Sequence, residues 1–266
     1  MKLIKNANFF SIAQTALSVS VVTVGSLAVS SLSTQAAPVV FFDNMFTGAT
    51  DFDSIVNSVN GDLTIDTWTN LPQGQTMIDR GAYSFRKVNN AAMFPSVYTL
   101  FNSSPLTTTS GETININPSS TDVEASRLGS AIEFTFDSPV NGFGLEVGDW
   151  ATCCQPSNLY ISFDGGTPIL VGESLVFGDQ FLTNGGAGVF VGAIDDSGTF
   201  STVQFWGDGQ GEFLVAGGEI RYATVEEGSV TGVPEPATVL GLLTIGAFGV
   251  GSSALKKANY KRNKKA

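Results

Sequence analysis

The sequence predicts an all-β domain, an antiparallel β-sandwich of jelly-roll-like type, and three observations carry the prediction. Apolar and polar residues alternate over short runs: Ala131-Ile-Glu-Phe-Thr-Phe136 puts Ile132, Phe134 and Phe136 on one face, and Phe143, Leu145 and Val147 repeat the pattern. Turn-forming groups separate the runs, among them Asn60-Gly61, Asp164-Gly-Gly166, Asn184-Gly-Gly186, Asp196-Ser-Gly198 and Asp208-Gly209. No long stretch keeps a helical period. Many short strands joined by Gly/Asp turns bury one face of each sheet against the other.

In chain order, strands are expected at 39–42, 63–68, 83–88, 131–136, 143–147, 159–163, 169–171, 189–193, 199–205 and 212–222. Ser138-Pro139 is read as the turn between the fourth and fifth of these. Residues 102–120 are rich in Ser, Thr, Asn and Pro and read as a long loop or hairpin region. No internal repeat is present.

The two ends have a different character. Lys2 and Lys5 precede an uncharged stretch from Ile12 to Val29, and Thr34-Gln35-Ala36 fits a small-x-Ala cleavage site. Residues 1–36 therefore read as a signal peptide, cut after Ala36 or Ala37. At the other end, Pro234, Glu235 and Pro236 lead into an uncharged run from Ala237 to Leu255. At helical rise this run is about 28 Å long, close to the thickness of a bilayer's hydrocarbon core. Lys256, Lys257, Lys261, Arg262, Lys264 and Lys265 follow within the last eleven residues, 256–266. They hold that end in the cytoplasm by the positive-inside rule. Residues 37–231 are left outside as one extracytoplasmic domain, long enough for a sizeable core.

This tail, with its Pro-Glu-Pro stretch, apolar segment and basic end in order, resembles the PEP-CTERM sorting signal of exported bacterial proteins. The resemblance covers residues 232–266. It implies an exosortase-type sorting enzyme as a partner beside the export translocon. It also implies transient anchoring in the inner membrane, then transfer to the cell surface or extracellular matrix. From Gly129 to Tyr222 the order of strands is similar to the β-sandwich ectodomains of cyanobacterial and other PEP-CTERM proteins. In outline those are similar to jelly-roll carbohydrate-binding modules, and contact with extracellular polysaccharide is the expectation this likeness implies.

Between Pro38 and Val233 five cations (Arg80, Arg86, Lys87, Arg127 and Arg221) face 23 acids, a net charge of −18. Such a surface argues against nucleic acid and against anionic lipid as ligands. The chain has no histidine, which removes Ser-His-Asp and Cys-His chemistry and His-liganded zinc. A carboxylate pair is the remaining hydrolytic option, with Glu133, Glu146, Asp149 and Asp164 as candidates by acidity alone. The domain is read as non-enzymatic.

Three further constellations stand out. Asp149 and Trp150 enter a loop, and Trp206 precedes Gly207-Asp208. These three residues are the candidates for glycan contact, with a core Trp at a sandwich corner as the other reading. Asp195, Asp196, Asp208 and Glu212 lie in Gly-rich turns. They are weak calcium candidates, calcium being the one cofactor considered, against ordinary turn aspartates. Cys153 and Cys154 are the only cysteines. They form a vicinal disulfide, remain free thiols or bond to another chain. The expected function is that of a sorted cell-surface or extracellular-matrix protein, as in a biofilm, contacting polysaccharide without catalysis. The alternatives are a purely structural matrix protein and a glycan-active hydrolase.

Overall fold

The alternating runs become the strands of two antiparallel sheets packed face to face. The computed structural model describes residues 37–100, 106–116, 131–152, 156–176, 188–207 and 214–230. The elements are β1 (Val39–Asn44), α1 (Met45–Ser58), β2 (Asp62–Thr67), β3 (Met77–Asp79), β4 (Tyr83–Lys87), β5 (Ser96–Leu100), β6 (Thr107–Ile116), β7 (Ile132–Val140), β8 (Gly142–Gly148), β9 (Ser157–Phe163), β10 (Ile169–Ser174), β11 (Gly188–Ile194), β12 (Phe200–Gly207) and β13 (Leu214–Thr224). One sheet has the order β1-β11-β8-β13-β6-β5, with β2 also paired to β13; the other runs β10-β9-β12-β7-β4-β3. Every named pairing is antiparallel.

The predicted signal peptide, membrane segment 237–255 and basic tail lie outside the described residues. Among the described residues no helix is long and apolar enough to cross a membrane.

The alternation does what its period requires. Ile132, Phe134 and Phe136 of β7 meet Phe143, Leu145 and Val147 of β8 in the central core, while Glu133 and Thr135 point away. Ser138-Pro139 is not a turn, as the sequence suggested, but part of β7. The register there shifts against β12, and that irregularity accommodates the proline within the strand. Of the loop and hairpin readings of the Ser/Thr-rich region the hairpin is the one that forms: residues 107–116, paired antiparallel with β5, are the ten-residue strand β6. Its threonines supply the β-branching a strand favours, and two hydroxyls that end up inside are satisfied: Thr109 donates to Gly111 O at 2.7 Å and Thr113 to Ser96 O at 3.0 Å.

The helix α1 is the element the sequence did not announce. Asn44 caps it, its side-chain oxygen accepting from Phe46 N at 3.2 Å and Thr47 N at 3.1 Å. Asn60 adopts a left-handed φ of 55° at the end, and Gly61 N returns to Val56 O at 2.9 Å. Ala49, Phe52 and Val56 make one apolar stripe, packed on Phe41, Phe190, Ile194 and Ala223. This third layer explains why β8 and β11 are buried along both faces. Phe190 fills the slot between helix and sheet: a methyl group at Gly144 would run into its ring, and one at Gly48 would lie 3.0 Å from its Cβ.

Two polar networks are enclosed by these layers. Arg221 donates from Nε to Asp53 of α1 at 2.9 Å and from Nη1 to Glu219 at 3.0 Å, with its guanidinium 5.6 Å from the Phe190 ring centroid. In the sandwich core, Trp68 Nε1 donates to Tyr83 Oη at 2.7 Å, and Tyr83 donates to Asp66 at 2.6 Å. Arg80 forks onto the same carboxylate at 2.9 and 2.6 Å. Burial works against the charge on Asp66, but Arg80 and Tyr83 outweigh it and hold its pKa below the ordinary value.

Both ends of the described domain meet at the β11–β12 turn. Val39, opening β1, pairs with Ile194. Asp196 accepts from Val230 N at 2.7 Å through its carboxylate and from Gly228 N at 3.0 Å through its backbone oxygen. Beside them buried Asn141 exchanges hydrogen bonds with the backbone of Val225, at 2.9 and 2.8 Å, and accepts from Asp195 N at 2.8 Å.

Candidate functional site

A cleft opens at this same end of the sandwich, with a volume of about 610 Å³, within the range of small-molecule sites. Its apolar floor is made by Phe163 at the end of β9, Phe200 at the start of β12, and Ile169. The two phenyl rings are stacked, with centroids 5.0 Å apart and planes at 30°. Asp195, Ser197 and Thr167 supply the polar rim, and Pro38 closes one side.

The local sequence builds this arrangement. Asp164 and Gly165 take left-handed φ values of 46° and 69°, which turn the chain out of β9. The Asp164 carboxylate then accepts from Ser201 N at 3.0 Å, Thr202 N at 2.7 Å and the Thr202 hydroxyl at 3.0 Å. That clamp ties the β9–β10 turn to β12 and keeps Phe163 against Phe200. Across the cleft, Asp195 Oδ1 accepts from Ser197 N at 3.2 Å, an Asx-type turn that leaves the carboxylate on the rim.

The candidates for glycan contact take other places. Trp150 is buried at a sandwich corner, its Nε1 donating to Ser157 at 2.8 Å and its ring edge-on to Phe42 at 5.6 Å. Trp206 is buried on the outer face of the β10–β3 sheet, stacked on Tyr160 at 5.5 Å and packed with Ala131 and Val88. Neither indole offers an open face to a sugar ring: of the two readings open for Trp150 and Trp206, glycan contact and core packing, the buried rings fit core packing. Asp149, with φ 58°, accepts from the Thr152 hydroxyl at 3.2 Å and pairs with Tyr98. Burial pushes the Asp149 carboxyl up, against the opposing pull of Tyr98 and Thr152. The Tyr98 hydroxyl is raised too, by burial and then by the Asp149 charge.

The acids weighed for hydrolysis are dispersed and engaged. Glu133 takes both Nε and Nη2 of Arg86, at 3.0 and 2.7 Å, and Gln204 at 2.7 Å. Asp164 holds β12, as above. Glu146 lies buried in the middle of β8, against Gly218, accepting from Ser110 N at 2.9 Å. Burial raises the Glu146 pKa above its ordinary 4.5, the Glu219 charge adds to this, and Ser110 and Arg221 oppose it. A raised folded-state value favours the protonated form, so the stability it contributes is present below pH 4.5 and is lost as pH rises through the folded value. Glu146→Gln is therefore expected to melt about 2–4 °C above the wild type at pH 7 and level with it at pH 4, read by thermal melts across pH. A variant that melts lower at pH 7 would show that the ionised carboxylate is needed.

Of the calcium candidates, Asp196 is buried and its carboxylate accepts from Val230 N, which ties it to the end of the described domain. Asp195 stays on the cleft rim, and Asp208 and Glu212 lie outside the described residues. Among the described residues no three His, Cys, Asp or Glu side chains gather as a metal site. Cys153, Cys154, the sorting motif Pro234, Glu235 and Pro236, and the basic cluster also lie outside the described residues. The cleft aromatics were missed by the sequence reading, because Phe163 and Phe200 each fit a core position in an alternating strand.

Residues 232–257 match the family model described as the PEP-CTERM protein-sorting motif, so the tail is that of an exported PEP-CTERM protein. Among curated proteins no relative matches. Of solved structures, two mutants of a family 29 carbohydrate-binding module align at 11% identity, each over 66% of this chain and 99% of the module, with TM-scores of 0.34 and 0.33. An exo-β-1,3-galactanase from Phanerochaete chrysosporium, with galactose, aligns at 12% identity over 60% of this chain and 29% of its own, with a TM-score of 0.28. At these scores the likenesses carry no argument about ligand or activity.

Proposed function

We propose that this PEP-CTERM protein is a non-catalytic surface or matrix protein whose β-sandwich contacts extracellular polysaccharide through the Phe163/Phe200 cleft. The observation that carries the reading is the cleft itself: a stacked aromatic floor under a carboxylate and hydroxyl rim. A pyranose ring has an apolar C–H face and a belt of hydroxyls, and such a floor and rim match the two. The dispersal of Glu133, Glu146, Asp149 and Asp164 into structural contacts supports a role without catalysis. Sorting by an exosortase-type enzyme supplies the route to the outside, by way of a membrane anchor at 237–255.

The test is saturable binding of the full chain, purified in detergent, to the producing cell's own extracellular polysaccharide, with calcium and with chelator. Phe200→Ala is expected to weaken binding about tenfold, the loss of roughly 1.4 kcal/mol of ring contact, with a melting check that the domain stays folded. Absence of saturable binding in both buffers overturns the glycan reading and leaves a structural protein of the matrix.

A further inference from the structure

We propose that the cleft selects its sugar by charge, preferring an amino sugar to its neutral counterpart and rejecting a uronate. This rests on the glycan reading above and names the chemical class of ligand within it.

Asp195 is the one charged side chain among the described lining residues. Its carboxylate is half-exposed and has a backbone N–H of Ser197 as its partner at 3.2 Å, with Oδ2 left to a ligand. The described cations are committed elsewhere: Arg80 to Asp66, Arg86 to Glu133, and Arg221 to Asp53 and Glu219. Lys87 sits on β4, and burial lowers its pKa. None of the four lines the cleft. In the uncut chain a ligand carboxylate or sulfate would thus enter beside a like charge, with no guanidinium or ammonium among the described lining residues to receive it. A ligand ammonium would meet a carboxylate already held on the rim by its turn. At a partly solvated site such a pair changes affinity a few-fold, and salt screens it. An N-terminus freed after Ala36 or Ala37 would add an ammonium next to Pro38, so the comparison belongs on the uncut full chain.

The experiment measures binding of the full chain, in detergent at low salt, to β-1,4-linked tetrasaccharides of glucosamine, glucose and glucuronate. Glucosamine is expected to bind two- to fivefold more tightly than glucose, and glucuronate more weakly than glucose by a similar factor, both differences shrinking at high salt. In Asp195→Asn the order should collapse toward the affinity for glucose. General attraction of a cationic oligomer to an acidic protein would survive that substitution. Glucuronate binding as tightly as glucose, or an order that persists in Asp195→Asn, overturns the charge selection while leaving glycan contact standing. Failure of all three to bind overturns both.

Discussion

Arg221→Ala is expected to cost about 3–5 kcal/mol, the largest loss from any single surface-free charge in the domain. Arg221 is 7% exposed, and its guanidinium is shared between Asp53 on α1 and Glu219 on β13. Glu146 lies within reach of the same field. Removing the arginine leaves three carboxylates around an apolar void beside Phe190, with no second cation among the described residues ion-paired to Asp53 or Glu219. It also unpins the helix, because Asp53 is the residue through which α1 is ion-paired to the sheet. Lysine should rescue it only in part, since its compact ammonium lacks the planar fork with which Arg221 reaches Asp53 through Nε and Glu219 through Nη1. Urea unfolding at pH 7 measures the loss. A loss below about 1 kcal/mol at pH 7 would mean that the cluster is solvated in a way the fold does not show.

Trp68→Ala is the second large effect, about 3–5 kcal/mol. The indole is fully buried and stacked on Phe85 at 4.2 Å and 11°, with Phe134 at 6.2 Å. Truncation opens a void between the sheets and also takes the N–H from Tyr83, whose hydroxyl is committed to Asp66. The neighbouring backbone is moulded to the ring: a methyl group at Gly217 would fall 2.6 Å from its edge. The strands around it therefore have little room to collapse into the space. Trp68→Phe keeps a stacked ring but loses the donor and part of the buried volume, so it should cost less than alanine, about 1–3 kcal/mol. Thermal melts followed by near-ultraviolet circular dichroism separate the two. Equal losses for alanine and phenylalanine would assign the whole effect to the hydrogen bond and none to packing.

Much of the sandwich was legible because period-two alternation reports a half-buried strand directly. Ile132, Phe134 and Phe136 could only be one face of β7. The helix α1 was not legible: Gly48, Thr47, Thr50, Asp51, Asp53 and Ser54 are poor helix formers, and the helix is held by Phe190 and Arg221, which are distant in sequence. Strand β6 was hidden for a related reason, since its polar threonines bury their hydroxyls against backbone oxygens that no local reading locates. For Trp150 and Trp206 a strand end next to a turn suits a corner ring and an exposed ring equally. Which one forms depends on Ser157, Phe42 and Tyr160 arriving beside them. The cleft is a meeting of two turns, and only Asp195 carried a signal of its own, as a turn aspartate. The sorting tail was the most legible part, because its meaning lies in linear order rather than in a fold.

The stitching of Val39, Asp195, Asp196 and Val230 to one turn also decides how the domain meets mechanical force. A tug on the chain beyond Val230 is borne first by the two hydrogen bonds that Val230 and Gly228 make to Asp196, then by the pair that Asn141 makes with Val225. These bonds are loaded one after another, as in peeling tape, before the pull reaches β13. A domain tethered this way yields at its hem. The hem can tear loose and reseat while the sandwich behind it keeps its shape.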